Sequence, residues 1–151
     1  MKIRSVLVLL FLTLFLRGIS YAASCEVVAE NLAGRISPSL EKTELAETLN
    51  SLNASRNRDL PQKFVTKKQA KSAGWTPGKD LWSVGALRGK SIGGDTFGNF
   101  EKQLPRGKWR EADLDYRGGK RGAKRILFSS DGRRYVTVDH YQTFTEVPPC
   151  R

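Results

Sequence analysis

The chain of 151 residues holds one histidine, His140, within Asp139-His140-Tyr141-Gln142-Thr143-Phe144-Thr145. Upstream, Trp109-Arg110-Glu111-Ala112-Asp113 places a carboxylate on a strand-like run, and Arg121 and Arg125 follow. A carboxylate can take a proton from a hydroxyl nucleophile. An imidazole, which titrates near neutrality, can return one to a leaving oxygen. Guanidinium groups match phosphate oxygens two at a time. RNA carries its own nucleophile, the ribose 2′-hydroxyl, so one acid, one histidine and fixed cations could cleave it without a metal. Each residue alone has an ordinary explanation. A lone histidine is often a surface or core residue, Glu111 could be a solvated strand residue, and the arginines could belong to a general basic surface.

Those residues need elements to hold them. Leu45, Leu49 and Leu52 recur at helical spacing and predict a helix over residues 39–53, with Glu41, Lys42, Glu44 and Glu47 off that face. Residues 25–38 have no clear period and read as an extension. Thr66-Lys67-Lys68-Gln69 is a capping box, predicting a helix that ends at Gly74. Trp75 reads as a core anchor, and a further short helix fits residues 80–84. Gly89-Lys90-Ser91 resembles the end of a phosphate-binding loop, but Val84 stands where that motif needs glycine. Gly93-Gly94-Asp95 reads as the start of a loop-rich passage. Strands are then predicted over residues 109–116, 123–129, 135–139 and 144–147, with a tight turn at Asp131-Gly132. Helices first and strands later imply an α+β fold, N-terminal helices packed on a C-terminal antiparallel sheet. Alternate residues of neighbouring strands share a face, so Glu111, Arg125 and His140 can converge.

Residues 1–22 read as a signal peptide: a basic start, an apolar run from Val6 to Leu16, and small residues before a cut after Ala22. The run is short for a membrane span. That leader carries Lys2, Arg4 and Arg17 and no acid, so its removal lowers the formal charge of +11 by three, to about +8. So basic a surface attracts polyanions. It does not by itself separate RNA from DNA or anionic lipid. The two cysteines, Cys25 and Cys150, flank the mature chain, and export makes a bridge between them plausible. No metal-ligand cluster is visible in the sequence, and no cofactor is implied.

From residue 60 to residue 145 the chain resembles the barnase-like family of secreted, guanyl-preferring microbial ribonucleases. The resemblance rests on Gly89-Lys90-Ser91-Ile92-Gly93-Gly94-Asp95, Trp109-Arg110-Glu111-Ala112-Asp113, Arg125-Ile126-Leu127 with Ser129-Ser130-Asp131, and residues 139–145. It implies the microbial ribonuclease fold, with residues 59–151 as the core and a short tail, and residues 23–58 as an extension with the first helix. Glu111 is implied as general base, His140 as general acid, and Lys67, Arg121 and Arg125 as phosphate or transition-state contacts. The product route implied is a 2′,3′-cyclic phosphate. Guanine recognition is implied for Phe97-Gly98-Asn99-Phe100-Glu101: the Glu101 carboxylate accepts from the base, and backbone N–H groups around Asn99 and Phe100 donate to O6. Tyr141 is implied as a phosphate or sugar contact. Phe100 stands where the family's type member has arginine, and the loop before Trp109 is shorter. Asp95, Asp113 and Asp131 read as structural hydrogen-bonding residues. The expected partners are RNA and an acidic, barstar-like inhibitor protein. The mature chain is expected to be a secreted monomer without stable membrane association. The rival reading is a non-catalytic basic RNA-binding module of the same fold.

Overall fold

The computed structural model describes residues 21–151. The predicted signal peptide therefore lies almost wholly outside the described residues. Among the described residues, no helix is long and apolar enough to cross a membrane.

Two helices lead. The first, α1 (Cys25–Arg35), replaces the expected irregular extension. Ser24 caps it by accepting from Val27 N–H at 3.3 Å. Its buried face is Cys25, Val28, Ala29 and Leu32, a spacing of three, four and seven. The face was hard to read because cysteine and alanine are weak apolar markers and Val27 adds an apolar residue on the exposed side. The second, α2 (Lys42–Ala54), starts three residues later than predicted. The Glu41 carboxylate caps it by accepting from Thr43 N–H at 2.9 Å and Glu44 N–H at 2.7 Å. Those backbone bonds hold its carboxyl below the usual range. Leu45, Leu49 and Leu52 are fully buried, as their spacing predicts.

Glu44 departs from the reading that left it off the packed face. It is 4% exposed. It meets Lys63 at 2.9 Å and Arg117 at 2.8 Å, and accepts from Asp115 N–H at 3.0 Å. A buried carboxylate needs such compensation. It ties the leading helices to the chain beside the sheet.

The sheet has six strands in sequence order: β1 (Phe64–Val65), β2 (Ser91–Phe97), β3 (Trp109–Asp113), β4 (Arg125–Ser129), β5 (Arg134–Thr137) and β6 (Thr145–Glu146). All neighbouring pairs are antiparallel except β1 and β2, which are parallel. Between β1 and β2 lie the capping-box helix α3 (Lys67–Ser72) and two short 3₁₀ turns, Leu81–Ser83 and Gly85–Leu87. Strand β2 occupies the passage expected to be a loop. Gly93 is there for space: a Cβ on it would lie 2.6 Å from the Phe64 ring and 2.8 Å from Ala112 Cβ. Gly94 has φ +96°, beside a register shift in the β2–β3 pairing.

One face of the sheet packs on α1 and α2 through Ala112, Leu114, Ile126, Phe128, Val136 and Val138. A second core gathers Ala70, Trp75, Leu81, Leu87, Ile92 and Tyr116 beneath α3 and the 3₁₀ turns. Leu104, Trp109 and Leu127 form a third on the opposite face, with Phe97, Tyr135, Tyr141 and Phe144 packed against them.

A disulfide joins Cys25 to Cys150, whose Cα atoms are 4.9 Å apart. It fastens the start of α1 to the tail, and Cys25 N–H donates to the Arg151 carbonyl at 3.3 Å. Closing a loop of 125 residues restricts the unfolded chain. The loop-entropy account gives about 4–5 kcal/mol for that. The double variant Cys25→Ser, Cys150→Ser is expected to lose up to that amount in urea unfolding. Reduced wild-type protein should match it.

Candidate active site

Strand β3 sets the cleft. Its alternation puts Glu111 and Asp113 on the face away from α1 and α2, and register places Asp113 opposite Arg125 on β4. Asp113 is 2% exposed and Arg125 is 3% exposed. Arg121, from the β3–β4 connection, donates to both Asp113 oxygens at 2.6 and 2.7 Å. Arg125 Nε lies 2.9 Å from Asp113 Oδ1, yet its N–H finds no aligned acceptor. The attraction there is ionic rather than a hydrogen bond. Arg125 Nη1 is fixed instead by the carbonyls of Gly122 and Lys124 at 2.8 and 2.7 Å. Asp113 holds the Arg121 guanidinium above its ordinary pKa, against the opposing effect of burial. One carboxylate thus braces two guanidinium groups.

Glu111 is 8% exposed. Its Oε2 accepts from the Tyr141 hydroxyl at 2.5 Å, and its Oε1 lies 3.6 Å from Lys67 Nζ. Lys67 is the first residue of α3, and its backbone N–H donates to Asp95 at 2.9 Å. Burial, then the bond to Glu111, pushes the Tyr141 phenol up to about 12. Tyr141 therefore remains a proton donor to Glu111 across the neutral range. Its ring stacks on Phe97 with centroids 5.3 Å apart, and the Arg125 guanidinium sits 5.9 Å from its centroid.

His140 is exposed and follows β5 on a tight loop. Its φ is 58° and that of Tyr141 is 70°, two consecutive non-glycine residues in left-handed backbone. Such residues persist only where neighbours over-determine them. Asp139 supplies that restraint. Its Oδ1 accepts from Thr137 Oγ1 at 2.8 Å, Gln142 N–H at 3.1 Å and Thr143 N–H at 2.9 Å, and its Oδ2 accepts from Thr143 Oγ1 at 2.6 Å. His140 N–H donates to the Ala123 carbonyl at 3.2 Å and Tyr141 N–H to Thr137 Oγ1 at 3.1 Å.

The loop Phe97 to Glu101 forms one wall. Phe97 ends β2. The Asn99 side chain is turned inward, accepting from Leu104 N–H at 3.0 Å and donating to the Leu104 carbonyl at 2.8 Å. That leaves the Asn99 backbone, not its amide, to face a ligand. Phe100 is 93% exposed, and Glu101 accepts from Gln103 Nε2 at 2.7 Å. A cavity of about 510 Å³ is lined by this loop with Glu111, His140, Tyr141 and Phe144. A second of about 510 Å³ is lined by Lys79, Lys120, Arg121, Arg125 and His140. His140 stands between an aromatic, acid-bearing hollow and a cationic one. Among the described residues, no group of three or more His, Cys, Asp or Glu side chains is clustered as metal ligands.

The candidate catalytic and base-binding residues Lys67, Phe97, Asn99, Phe100, Glu101, Glu111, Arg121, Arg125, His140 and Tyr141 line this cleft or touch residues that do. Asp113 is the structural hydrogen-bonding residue that the sequence suggests, whereas Asp139 as the restraint on His140, and Lys79 and Lys120 as cleft cations, are not anticipated there. Asp113 had a legible signal, since it lies two residues from Glu111 on the same strand face. The cleft lysines had none, because they come from loops.

A family model described as ribonuclease matches residues 48–148. Ribonucleases of Bacillus intermedius and Bacillus pumilus are each 46% identical to this chain over 95 residues, 61% of this chain and 58% of theirs. A ribonuclease of Heyndrickxia coagulans is 46% identical over 95 residues, 86% of its length. The chain thus spans somewhat more than half of the two Bacillus proteins.

The Asp139 hydrogen bonds from Thr143, Thr137 and Gln142 hold its carboxyl at about 2, below its ordinary 3.8. A depressed carboxyl stabilises the fold above the unfolded value, near pH 4, and that contribution is lost as pH falls through about 2. Asp139→Asn is expected to be less stable at neutral pH. Its stability should fall less steeply than the wild type's between about pH 4 and 2, measured by denaturant unfolding at each pH.

Proposed function

The chain belongs to the ribonuclease family, and from that membership we propose that it is a secreted endoribonuclease that cleaves single-stranded RNA on the 3′ side of guanine without a metal. The observation that carries the reading is that Glu111, held by Lys67 and Tyr141, lines one cavity with His140, and His140 also lines the adjoining cavity with the braced Arg121 and Arg125. The two proton-transfer groups have different surroundings, so they can take different roles.

Glu111, ionised, accepts the 2′-hydroxyl proton, and the oxygen attacks the adjacent phosphorus. His140, protonated, gives its proton to the departing 5′-oxygen. The products are a 2′,3′-cyclic phosphate and a free 5′-hydroxyl. Water then opens the cyclic ester with the two roles exchanged. Charge that builds on the phosphoryl oxygens is met by Arg121, Arg125 and Lys67. Asp113 keeps both arginines in place without reorganisation at the moment of reaction. Tyr141 orients the Glu111 carboxylate by its hydroxyl.

In the aromatic hollow that Glu111 and His140 also line, the Glu101 carboxylate accepts from guanine N1–H and the exocyclic amine, and backbone N–H groups of the loop donate to O6. Adenine does not offer those two donors together. Phe97 and Phe100 give apolar surface for stacking. The basic surface draws the polyanion in. An acidic protein partner that covers the cleft would use the same charges.

His140→Gln is expected to reduce cleavage of a defined RNA by roughly 10²- to 10⁴-fold with the fold retained, read by circular dichroism and initial rates. Cleavage by the wild type should persist in EDTA, spare DNA, and yield cyclic phosphate ends. A folded His140→Gln protein that cuts at the wild-type rate would overturn the mechanism. RNA binding with no cutting by the wild type would favour the binding-module reading.

Glu101→Ala is expected to weaken the preference for guanine more than it slows cleavage at a poor site. The comparison is of kcat/KM on dinucleotide substrates that differ only in the 5′ base.

A further inference from the structure

Among the described residues, Arg134 is a buried cation with no carboxylate partner. Register pairs it with Phe128, so it points to the α1–α2 face, opposite Glu111 and Arg125. It is 7% exposed. Its Nε–H donates to Asn57 Oδ1 at 2.7 Å, and Nη1 contacts Cys150 Sγ at 3.9 Å. No described carboxylate forms an ion pair with it. Burial alone pushes its pKa down, with no charge opposing the shift. Buried charges are ordinarily paired.

A cavity of about 320 Å³ opens beside this guanidinium, and Arg56, Asn57, Ser130, Gly132 and Pro149 contribute to its lining. The walls come from the end of α2, the β4–β5 turn and the tail. Asp131 also faces it. That carboxylate is engaged by the Ser129 hydroxyl and the Arg133 guanidinium, which hold it well below the usual range. The cavity therefore presents two guanidinium groups and one acid already neutralised elsewhere.

We propose that this cavity is a binding site for a phosphate-class oxyanion, filled by inorganic phosphate or by the terminal phosphate of an oligonucleotide. Two arginines favour a doubly charged ligand over a monocarboxylate. The Nη groups of Arg134 supply the inner donors and Arg56 closes from solvent. The bound anion neutralises the buried charge and bridges α2, the β4–β5 turn and the disulfide-linked tail. None of the lining residues belongs to the catalytic cleft, so the site does not rest on the proposed activity.

The test is a ¹H–¹⁵N NMR titration of the full oxidised protein with sodium phosphate at constant pH and ionic strength. The Ser130 and Gly132 amides and the Arg134 Nε–H should follow one saturable isotherm, and the Tyr141 and Gln142 amides a different one. Arg134→Met should abolish the first. Arg56→Asn, at an exposed position whose φ of 54° suits asparagine, should weaken it several-fold and leave RNA cleavage unchanged. An oligonucleotide with a 3′-phosphate, compared with its unphosphorylated twin, separates the two sources: saturation of the Ser130 and Gly132 shifts by the phosphorylated form alone assigns the oligonucleotide terminus, and saturation by inorganic phosphate alone assigns the free ion. The absence of any saturable shift at Ser130 and Gly132 in the wild type would overturn the proposal. An isotherm unchanged in Arg56→Asn and Arg134→Met would do the same.

Discussion

A single buried carboxylate, Asp113, holds the cleft face of the sheet together. It sits between Arg121 and Arg125, and all three come from one strand pair and its connection. Two guanidinium groups near each other repel, and neither the buried Arg125 nor the partly buried Arg121 would stay in place without a shared anion. Removing one member of such a group leaves an uncompensated buried charge, at a cost of about 3–5 kcal/mol. The β3–β4 register is therefore held by electrostatics as well as by the apolar residues on the other face. The same arrangement places Arg125 beside the Tyr141 ring, and Tyr141 in turn reaches Glu111. The geometry of the proposed base is linked, contact by contact, to one aspartate that touches no ligand.

The loop that presents His140 is built differently. Its shape opposes the backbone preference of two residues in succession. Hydrogen bonds accepted by the Asp139 carboxylate and by Thr137 Oγ1 make up the difference. A rigid strand could not turn an imidazole across the end of the sheet toward both hollows. A strained turn held by one carboxylate can. The anchoring groups are local in sequence, which explains why the segment 139–145 is a coherent block.

The apolar run Ile126-Leu127-Phe128, the β-branched Val136-Thr137-Val138 and the turn at Asp131-Gly132 made β4 and β5 legible. Leu45, Leu49 and Leu52 did the same for α2, and the capping box for α3. The convergence of Glu111 with Arg125 followed from strand parity alone. Other features depend on partners far along the chain. Strand β2 is recognisable as a strand only once Phe64 and Ala112 are seen to need the space that Gly93 leaves. Helix α1 owes its buried face to packing on α2. Glu44 looked like a surface charge because Lys63 and Arg117, which compensate it, lie elsewhere in sequence. The family resemblance, not pattern, directed attention to Lys67 and Glu101; the first lies beside Glu111 and the second borders the aromatic hollow.

The two faces of the sheet treat cations in opposite ways. On the cleft face Arg121 and Arg125 share Asp113, and Lys67 is near Glu111, so three cations face two carboxylates and the site keeps a positive excess for an anion while its buried guanidinium groups are still compensated in part. On the helical face Arg134 has only the neutral oxygen of Asn57 and a disulfide sulfur. A neutral acceptor satisfies a hydrogen bond but does not cancel charge. Two cations that share a carboxylate are partly neutralised. Cation with amide is left with a demand for charge, and the cavity beside it opens to solvent through an exposed arginine. The sequence difference between the faces is small, one aspartate against one asparagine. Its electrostatic consequence is large, because the low-dielectric surroundings of a packed sheet magnify whichever charge is left over.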